Sequence, residues 1–503
     1  MILCAWDNAS GRMDHGCIRI LRQPPRGLQF SKKETRDMAF SSMAFLFGFL
    51  PAVLVCYFLL PGRWRSGRNA VLLVFSLVFY AWGGVRMVPF LALSILLYWG
   101  GGLVLAPSSG PHRKGWFAAL LVVNVGLLAY FKYTGFLLEN LNALGLGAAV
   151  PEILMPAGIS FYTFQGIAYL TDVYRGTIPP ERNLPRLALF IAFFPQLLQG
   201  PILRYGDMAA DLRQRQETAS DAAEGAQRFC FGLAKKVLLA DALGQIANGA
   251  FDAGGRLTVG LAWMGALAYT FQLYFDFSGY TDMAIGLGRV FGFRLPENFQ
   301  YPYVSRSATE FWRRWHMTLS FWFRDYVYIS LGGNRCARRR QIANLLVVWL
   351  LTGLWHGAAW TFVVWGLYYA AVLMGEKFLW GRSLERLPAA LRHIYAMVII
   401  TVGWVFFRAA DLGQAGQMLG AMFGAAPGGV WSGEGEYYLR QYAWEIAVAV
   451  PAALPVCRVL RDRLDGHRAL VLWTPKLLAG ALLGLSAVRL LSSTFRSFLY
   501  FQF

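Results

Sequence analysis

The sequence predicts an all-α, polytopic membrane protein with re-entrant and interfacial helices around a buried cavity. Three observations carry this. Over 503 residues the chain is 56% hydrophobic and only 15% charged, whereas a soluble chain runs about 45–50% apolar and about 25% charged. Apolar stretches of roughly the 20 residues needed to cross a bilayer recur along its length. Gly and Pro interrupt several of them, as in Phe193-Phe194-Pro195 and Gly200-Pro201. Such breaks survive in a membrane only where protein or water satisfies the freed backbone groups.

Residues 1–37 are polar and irregular and lack the apolar core of a signal peptide. They are expected to be a disordered or mis-annotated extension, with Met38 as the natural start and 38–503 as the working domain. The candidate spans are 44–61, 69–84, 87–106, 115–133, 153–171, 185–203, 258–277, 342–355, 357–376, 390–407, 443–459 and 470–490. A single helix over 342–376 would be about 52 Å long at about 1.5 Å per residue, against a hydrocarbon core of about 30 Å. The chain must tilt, kink or break there, and Gly353 and Gly357 mark the easiest place. Gly420 to Glu436 reads as a Gly-rich loop.

The net charge is +19. In a soluble domain that would raise nucleic-acid binding. Here the basic residues sit between apolar stretches: Arg63, Arg65 and Arg68, then His112 to Lys114, then Arg175, Arg182 and Arg186. Lys235, Lys236, Arg335 and Arg338 to Arg340 read as marking later connections. The positive-inside rule accounts for this pattern and places Met38 on the outer face; a nucleic-acid partner is not expected. The six cysteines form no CxxC pair and the six histidines no HExxH, so neither a disulfide framework nor a metal site is expected. GxSxG and GK[ST] are absent, and Gly286-x-Gly288 does not complete a dinucleotide fingerprint.

The run from Phe311 to Arg335 is too polar to cross a bilayer and too aromatic to be a solvated loop. At helical spacing Trp312, Trp315, Leu319, Trp322, Phe323 and Tyr326 fall near one face, which predicts an interfacial helix holding His316 among indole rings. Arg313, Arg314 and Arg324 are candidates for the phosphates of a charged acyl donor, although for any single one of them the sequence favours contact with lipid headgroups. Trp315, Asp325, Asn334 and Trp355 complete the candidate substrate-contacting set. His356, in Gly353-Leu-Trp-His-Gly357, sits deep in an apolar stretch. Ionisable groups there tend to mark function, and a neutral imidazole is the form a general base needs. Asp276 and Asp282 read chiefly as structural hydrogen-bonding groups, with substrate passage the second reading.

Several stretches together resemble the membrane-bound O-acyltransferases, and within them the bacterial alginate O-acetyltransferase branch. They are Pro156 to Gln165, Phe193 to Arg204, Phe275 to Gly286, Glu297 to Tyr303, Phe311 to Arg335, Gly353 to Tyr369 and the terminal Tyr500-Phe-Gln-Phe503. The resemblance spans about Met38 to Phe503. It implies a funnel or tunnel through the bacterial inner membrane, no permanently bound cofactor, and functional positions at His316 and His356. The expected reaction moves an acetyl group from a cytoplasmic thioester, acetyl-CoA first among candidates, toward hydroxyls of an exported polysaccharide such as alginate. Periplasmic acetyltransferases are the expected partners, besides the lipid bilayer. Acetylation of peptidoglycan or cellulose, or D-alanyl transfer, would use much the same core. A proton-coupled transporter or acyl-group channel is the reading from another class. His356 is the expected base because its site is drier, with the reverse assignment open.

Overall fold

The structure, a computed structural model, describes residues 39–492 except 108, 109, 111, 146, 457–458 and 460–467. The expectations for residues 1–37 and for the terminal Tyr500 to Phe503 lie outside the described residues. No β-strand occurs among the described residues. Among the described residues, five helical stretches are long and apolar enough to cross a bilayer: Arg65–Val104, Arg113–Ala143, Trp360–Glu385, Ala389–Arg408 and Trp473–Ser492.

The first spans follow the apolar pattern: α1 (Leu50–Leu59), α2 (Arg65–Gly84), α3 (Val88–Val104) and α4 (Arg113–Ala143). Helix α5 (Ile159–Arg175) is buried almost throughout. The stretch expected as one span at 185–203 is instead α6 (Leu184–Ala192) and a single turn, α7 (Phe194–Leu197). Phe193 leaves the helical conformation (φ −53°, ψ 109°), with Pro195 just inside the turn; proline fits a first turn but not a helix interior. Buried Phe190, Phe193 and Phe194 keep this broken segment inside protein, where freed backbone groups find partners.

Next come α8 (Tyr205–Arg213), α9 (Ala219–Ala234), α10 (Asp241–Phe251) and the 32-residue α11 (Val259–Val290). A π-helical stretch, Lys235–Ala240, joins α9 to α10. The structure corrects one reading here: Lys235 and Lys236 do not mark a connecting loop. Lys236 is 1% exposed and pairs with Asp241 and Asp276, both at 2.7 Å. Lys235 pairs with Asp282 at 2.6 Å, and Arg228 bridges Asp282 and Glu297. The two α11 carboxylates are thus structural counter-ions, as the sequence suggested.

The α9–α11 contact rests on glycines. A Cβ on Gly225 would stand 2.5 Å from the Gly286 carbonyl oxygen, and one on Gly232 2.5 Å from that of Gly279. Small residues of this kind let helix backbones meet. Gly286 therefore serves helix packing.

Beyond α11 lie α12 (Ala308–Arg314), α13 (Met317–Trp322), α14 (Arg338–His356) and α15 (Trp360–Gly375). They lead to α16 (Gly381–Glu385), α17 (Ala389–Arg408), α18 (Leu412–Met422), α19 (Gly433–Gln441), α20 (Ala443–Ala452) and α21 (Arg468–Ser492). Side-chain caps start many of these helices; Thr258 caps α11, Ser307 α12, Asp411 α18 and Ser432 α19. The expected glycine loop shrinks to the link between α18 and α19. It is pinned to the start of α11 by Val259 N–H to Gly429 O and Gly260 N–H to Val430 O, each 3.0 Å.

Glu217, between α8 and α9, ties the N-terminal helices to this core. It accepts from Arg65 and from the Tyr57 hydroxyl, and pairs with Arg68 at 2.9 Å and Arg215 at 3.4 Å. Burial alone would raise its carboxyl pKa; the hydrogen bonds from Arg65 and Tyr57 and the guanidinium charges outweigh it and lower the pKa. A lowered folded-state pKa stabilises above the ordinary carboxylate range, and that contribution is lost as pH falls through the lowered value. Glu217→Gln should cost stability near the lower end of the about 3–5 kcal/mol typical of broken buried pairs. Thermal unfolding in detergent at pH 7 and at acidic pH checks this. The wild-type advantage should shrink in acid.

Candidate functional site

The aromatic run is not one interfacial helix. Helix α12 ends at Arg314, Trp315 is extended, and His316 adopts a left-handed conformation (φ 43°, ψ 53°) before α13 restarts at Met317. A non-glycine residue in that region is held there by its surroundings. Those surroundings centre on Asn298, which is fully buried. Its carbonyl accepts from Met317 N–H at 3.0 Å. Its side-chain Oδ1 lies 3.1 Å from His316 Nδ1, 3.3 Å from Thr318 N and 3.0 Å from Thr318 Oγ1. The His316 ring is 1% exposed and packs edge-on against Phe277, centroids 4.7 Å apart. Its Nε2 is buried and meets no protein hydrogen-bond partner.

His356 closes α14. The expected break falls where Gly353 and Gly357 flank it: Gly357 is extended and α15 starts at Trp360. A Cβ on Gly353 would collide with the Phe362 carbonyl oxygen, and one on Gly357 with the Phe362 ring. The two glycines thus let α15 turn back against α14. The His356 ring is enclosed by Trp355, Trp365 and Phe407, with centroids at 4.9, 5.1 and 5.0 Å.

Trp355 connects the two imidazoles. Its indole also lies 6.0 Å from His316. With His356 it lines a small, partly open pocket bounded by Lys132, Met155, Pro156, Gly158, Ile159, Ser160, Phe161 and Leu198. Histidines about 40 positions apart therefore meet on one indole beside a cavity.

Lys132 is the pocket residue that sequence reading missed. It falls inside the apolar stretch 115–133, and a lysine within a candidate span was the available signal. Its Nζ donates to the Trp355 carbonyl, and the neighbouring Tyr133 hydroxyl donates to that of Leu354 at 2.6 Å. Both fall on carbonyls at the end of α14, which lack partners within the helix, and a cation there suits the helix dipole. Lys132 lies roughly 28 Å along α4 from basic Arg113, and His356 roughly 27 Å along α14 from basic Arg338, at about 1.5 Å per residue. Two helices thus independently set the pocket most of a hydrocarbon thickness away from basic ends.

Of the other candidate contacts, only Trp355 reaches this pocket. Trp315 packs among Phe299, Phe311 and Trp404 at 5.0, 5.4 and 5.0 Å. Arg313 is exposed, and Arg314 pairs with Glu310 at 2.9 Å. Arg324 pairs with Asp325 at 2.6 Å, and Arg204 also binds that carboxylate. Burial alone would raise the Asp325 pKa, but the hydrogen bonds from Arg324 and Arg204 hold it below the ordinary carboxylate value. Asn334 is exposed and accepts from Tyr328 at 2.8 Å and Lys377 at 2.7 Å.

Residues 181–407, which include both histidines, match the membrane-bound O-acyltransferase family. A probable alginate O-acetylase of Azotobacter vinelandii is 45% identical over 77% of this chain and 78% of its own length. A peptidoglycan O-acetyltransferase of Helicobacter pylori is 36% identical over 77% and 80%. A teichoic acid D-alanyltransferase of Bacillus subtilis is 31% identical over 50% and 66%. The chain belongs to the membrane-bound O-acyltransferase family and is a multi-pass membrane enzyme that transfers an acyl group to a hydroxyl.

Proposed function

We propose that this enzyme takes an acetyl group from a thioester donor, acetyl-CoA, on the cytoplasmic side of the bacterial inner membrane. It passes the group toward hydroxyls of an exported polysaccharide such as alginate, with periplasmic acetyltransferases completing delivery. The observation that carries the reading is the pocket whose Trp355 wall contacts both His316 and His356. One imidazole removes the proton of the acceptor hydroxyl. The oxygen attacks the thioester carbon, the C–S bond breaks, and the thiolate leaves with a proton. The second imidazole positions or polarises the carbonyl. Aromatic enclosure excludes the water that would otherwise hydrolyse the donor.

The alginate O-acetylase relatives favour a polyuronate acceptor, while the Helicobacter pylori relative keeps peptidoglycan as the alternative. The test is purified enzyme in proteoliposomes with radiolabelled acetyl-CoA outside and candidate polymers or partner proteins inside. Label should appear as alkali-labile ester only with the correct acceptor. Release of free labelled acetate or acetyl-CoA inside, without ester, would overturn the reading in favour of a channel.

A further inference from the structure

We infer that Lys132 is a further catalytic group, whose ammonium holds the negative charge that develops on the acyl carbonyl oxygen during transfer. The inference rests on the acyl-transfer reading. It adds a full positive charge, carried by a different helix, to the pair of imidazoles.

Three groups gather round one indole. Lys132 Nζ lies 6.0 Å from the centroid of the Trp355 ring, the His316 ring 6.0 Å and the His356 ring 4.9 Å. Lys132 and His356 also line the same small pocket. An acyl carbon seated over this indole therefore has the ammonium beside it as well as the imidazoles. The ammonium is held in place, because Nζ donates to the carbonyl of Trp355, the residue directly before His356. An ammonium carries three donors, so that bond leaves two for a ligand.

The charge on Lys132 is not balanced by protein. A cation within a span ordinarily pairs with a carboxylate or reaches for the interface. Among the described residues no carboxylate pairs with Lys132, and no acid lines the pocket. The end of α14 offers only the partial negative charge of a helix terminus. Helix α5 adds positive potential on the other wall. Its first turn, from Ile159 to Phe161, borders the pocket with no acidic residue and no side-chain cap. A site so arranged favours an anion, and acyl transfer makes one there. The hydroxyl oxygen bonds to the acyl carbon as an imidazole takes its proton, and the carbonyl π pair moves onto the carbonyl oxygen. Lys132 holds that oxyanion. The pair then returns, the C–S bond breaks, and the thiolate receives the proton from the imidazole. The ammonium keeps its own protons throughout. Fixed donors of this kind act mostly in the transition state, where the charge appears.

The test uses inverted inner-membrane vesicles from a host carrying each full-length variant in place of its own copy, so that native acceptors and partners are present. Labelled acetyl-CoA is added to the cytoplasmic face, and alkali-labile ester is measured per enzyme. Lys132→Met keeps the stem and removes the charge. It should lower kcat about 10²–10³-fold, the loss typical of one such donor, with the acetyl-CoA KM unchanged. Lys132→Arg should recover most of the rate. Tyr133→Phe frees the neighbouring Leu354 carbonyl of the same helix end but lies outside the pocket lining. It reports the purely structural share and should cost far less. Wild-type kcat in Lys132→Met, an arginine variant as slow as the methionine one, or equal losses in Lys132→Met and Tyr133→Phe overturns the inference. If the methionine variant does not accumulate, the pH profile decides. The wild type should slow in alkali as the ammonium loses a proton, whereas Lys132→Arg stays charged and holds its rate. His356 is the other titratable side chain of the lining, and an imidazole titrates well below that range. Superimposable alkaline profiles overturn the inference. Ester formed at full rate by Lys132→Met sinks this inference alone; label that crosses the wild-type membrane without forming ester sinks the acyl-transfer reading itself.

Discussion

Replacing either His316 or His356 by alanine is expected to lower acetyl transfer about 10²–10⁴-fold, the range for losing a positioned acid or base. Ester formation per unit of enzyme in the membrane is the measurement. His356→Ala removes a ring packed against Trp365 and Phe407, so part of any loss could come from a collapsed pocket. His356→Gln keeps bulk and hydrogen-bonding capacity but cannot exchange a proton near neutral pH. The glutamine variant should be as inactive as the alanine variant while accumulating like wild type. Near-normal transfer by both glutamine variants would remove the chemical role from the pair. His316→Gln should act chiefly on kcat, because that ring lies outside the pocket lining. His356→Gln should act on donor KM as well, because the residue lines the pocket.

Gly286→Leu should be the most damaging packing substitution. A Cβ there would stand 2.5 Å from the Gly225 carbonyl oxygen and 2.8 Å from Phe229 N. Both obstacles are backbone, so no rotamer change relieves them. Overpacking typically costs about 1–3 kcal/mol and occasionally more, and separating α9 from α11 would also stretch the Lys235–Asp282 and Arg228–Asp282 pairs. Helix α11 carries Phe277, which packs on His316, so the damage should reach the site. Folded yield by size-exclusion chromatography should fall sharply. Gly416→Ala on the exposed face of α18 meets nothing within 4 Å and serves as the tolerated control. Equal yields for the two variants would refute the close-contact account.

Much of the site was legible because its signals are local. A histidine between two glycines in an apolar stretch too long for the bilayer announced both a break and a buried imidazole, and α14 does end at His356. The indole-rich run likewise announced His316. Its helical spacing misled, since one left-handed residue divides the run, and that conformation is held by Asn298, which lies outside it. The arginines of the run looked like ligands for an acyl donor, yet Arg314 and Arg324 have carboxylates of their own.

Composition and spacing alone determined the membrane class, several of the spans and the two imidazoles, because burying apolar side chains and satisfying backbone groups in lipid leave few choices for a chain so patterned. Only the tertiary structure decided that Lys236 is buried, that both rings meet on Trp355, and that Asn298 faces Nδ1. Each depends on a partner remote in sequence. A charge reads as a loop until its counter-ion is seen, and a ring's partner is whichever group the fold brings to it.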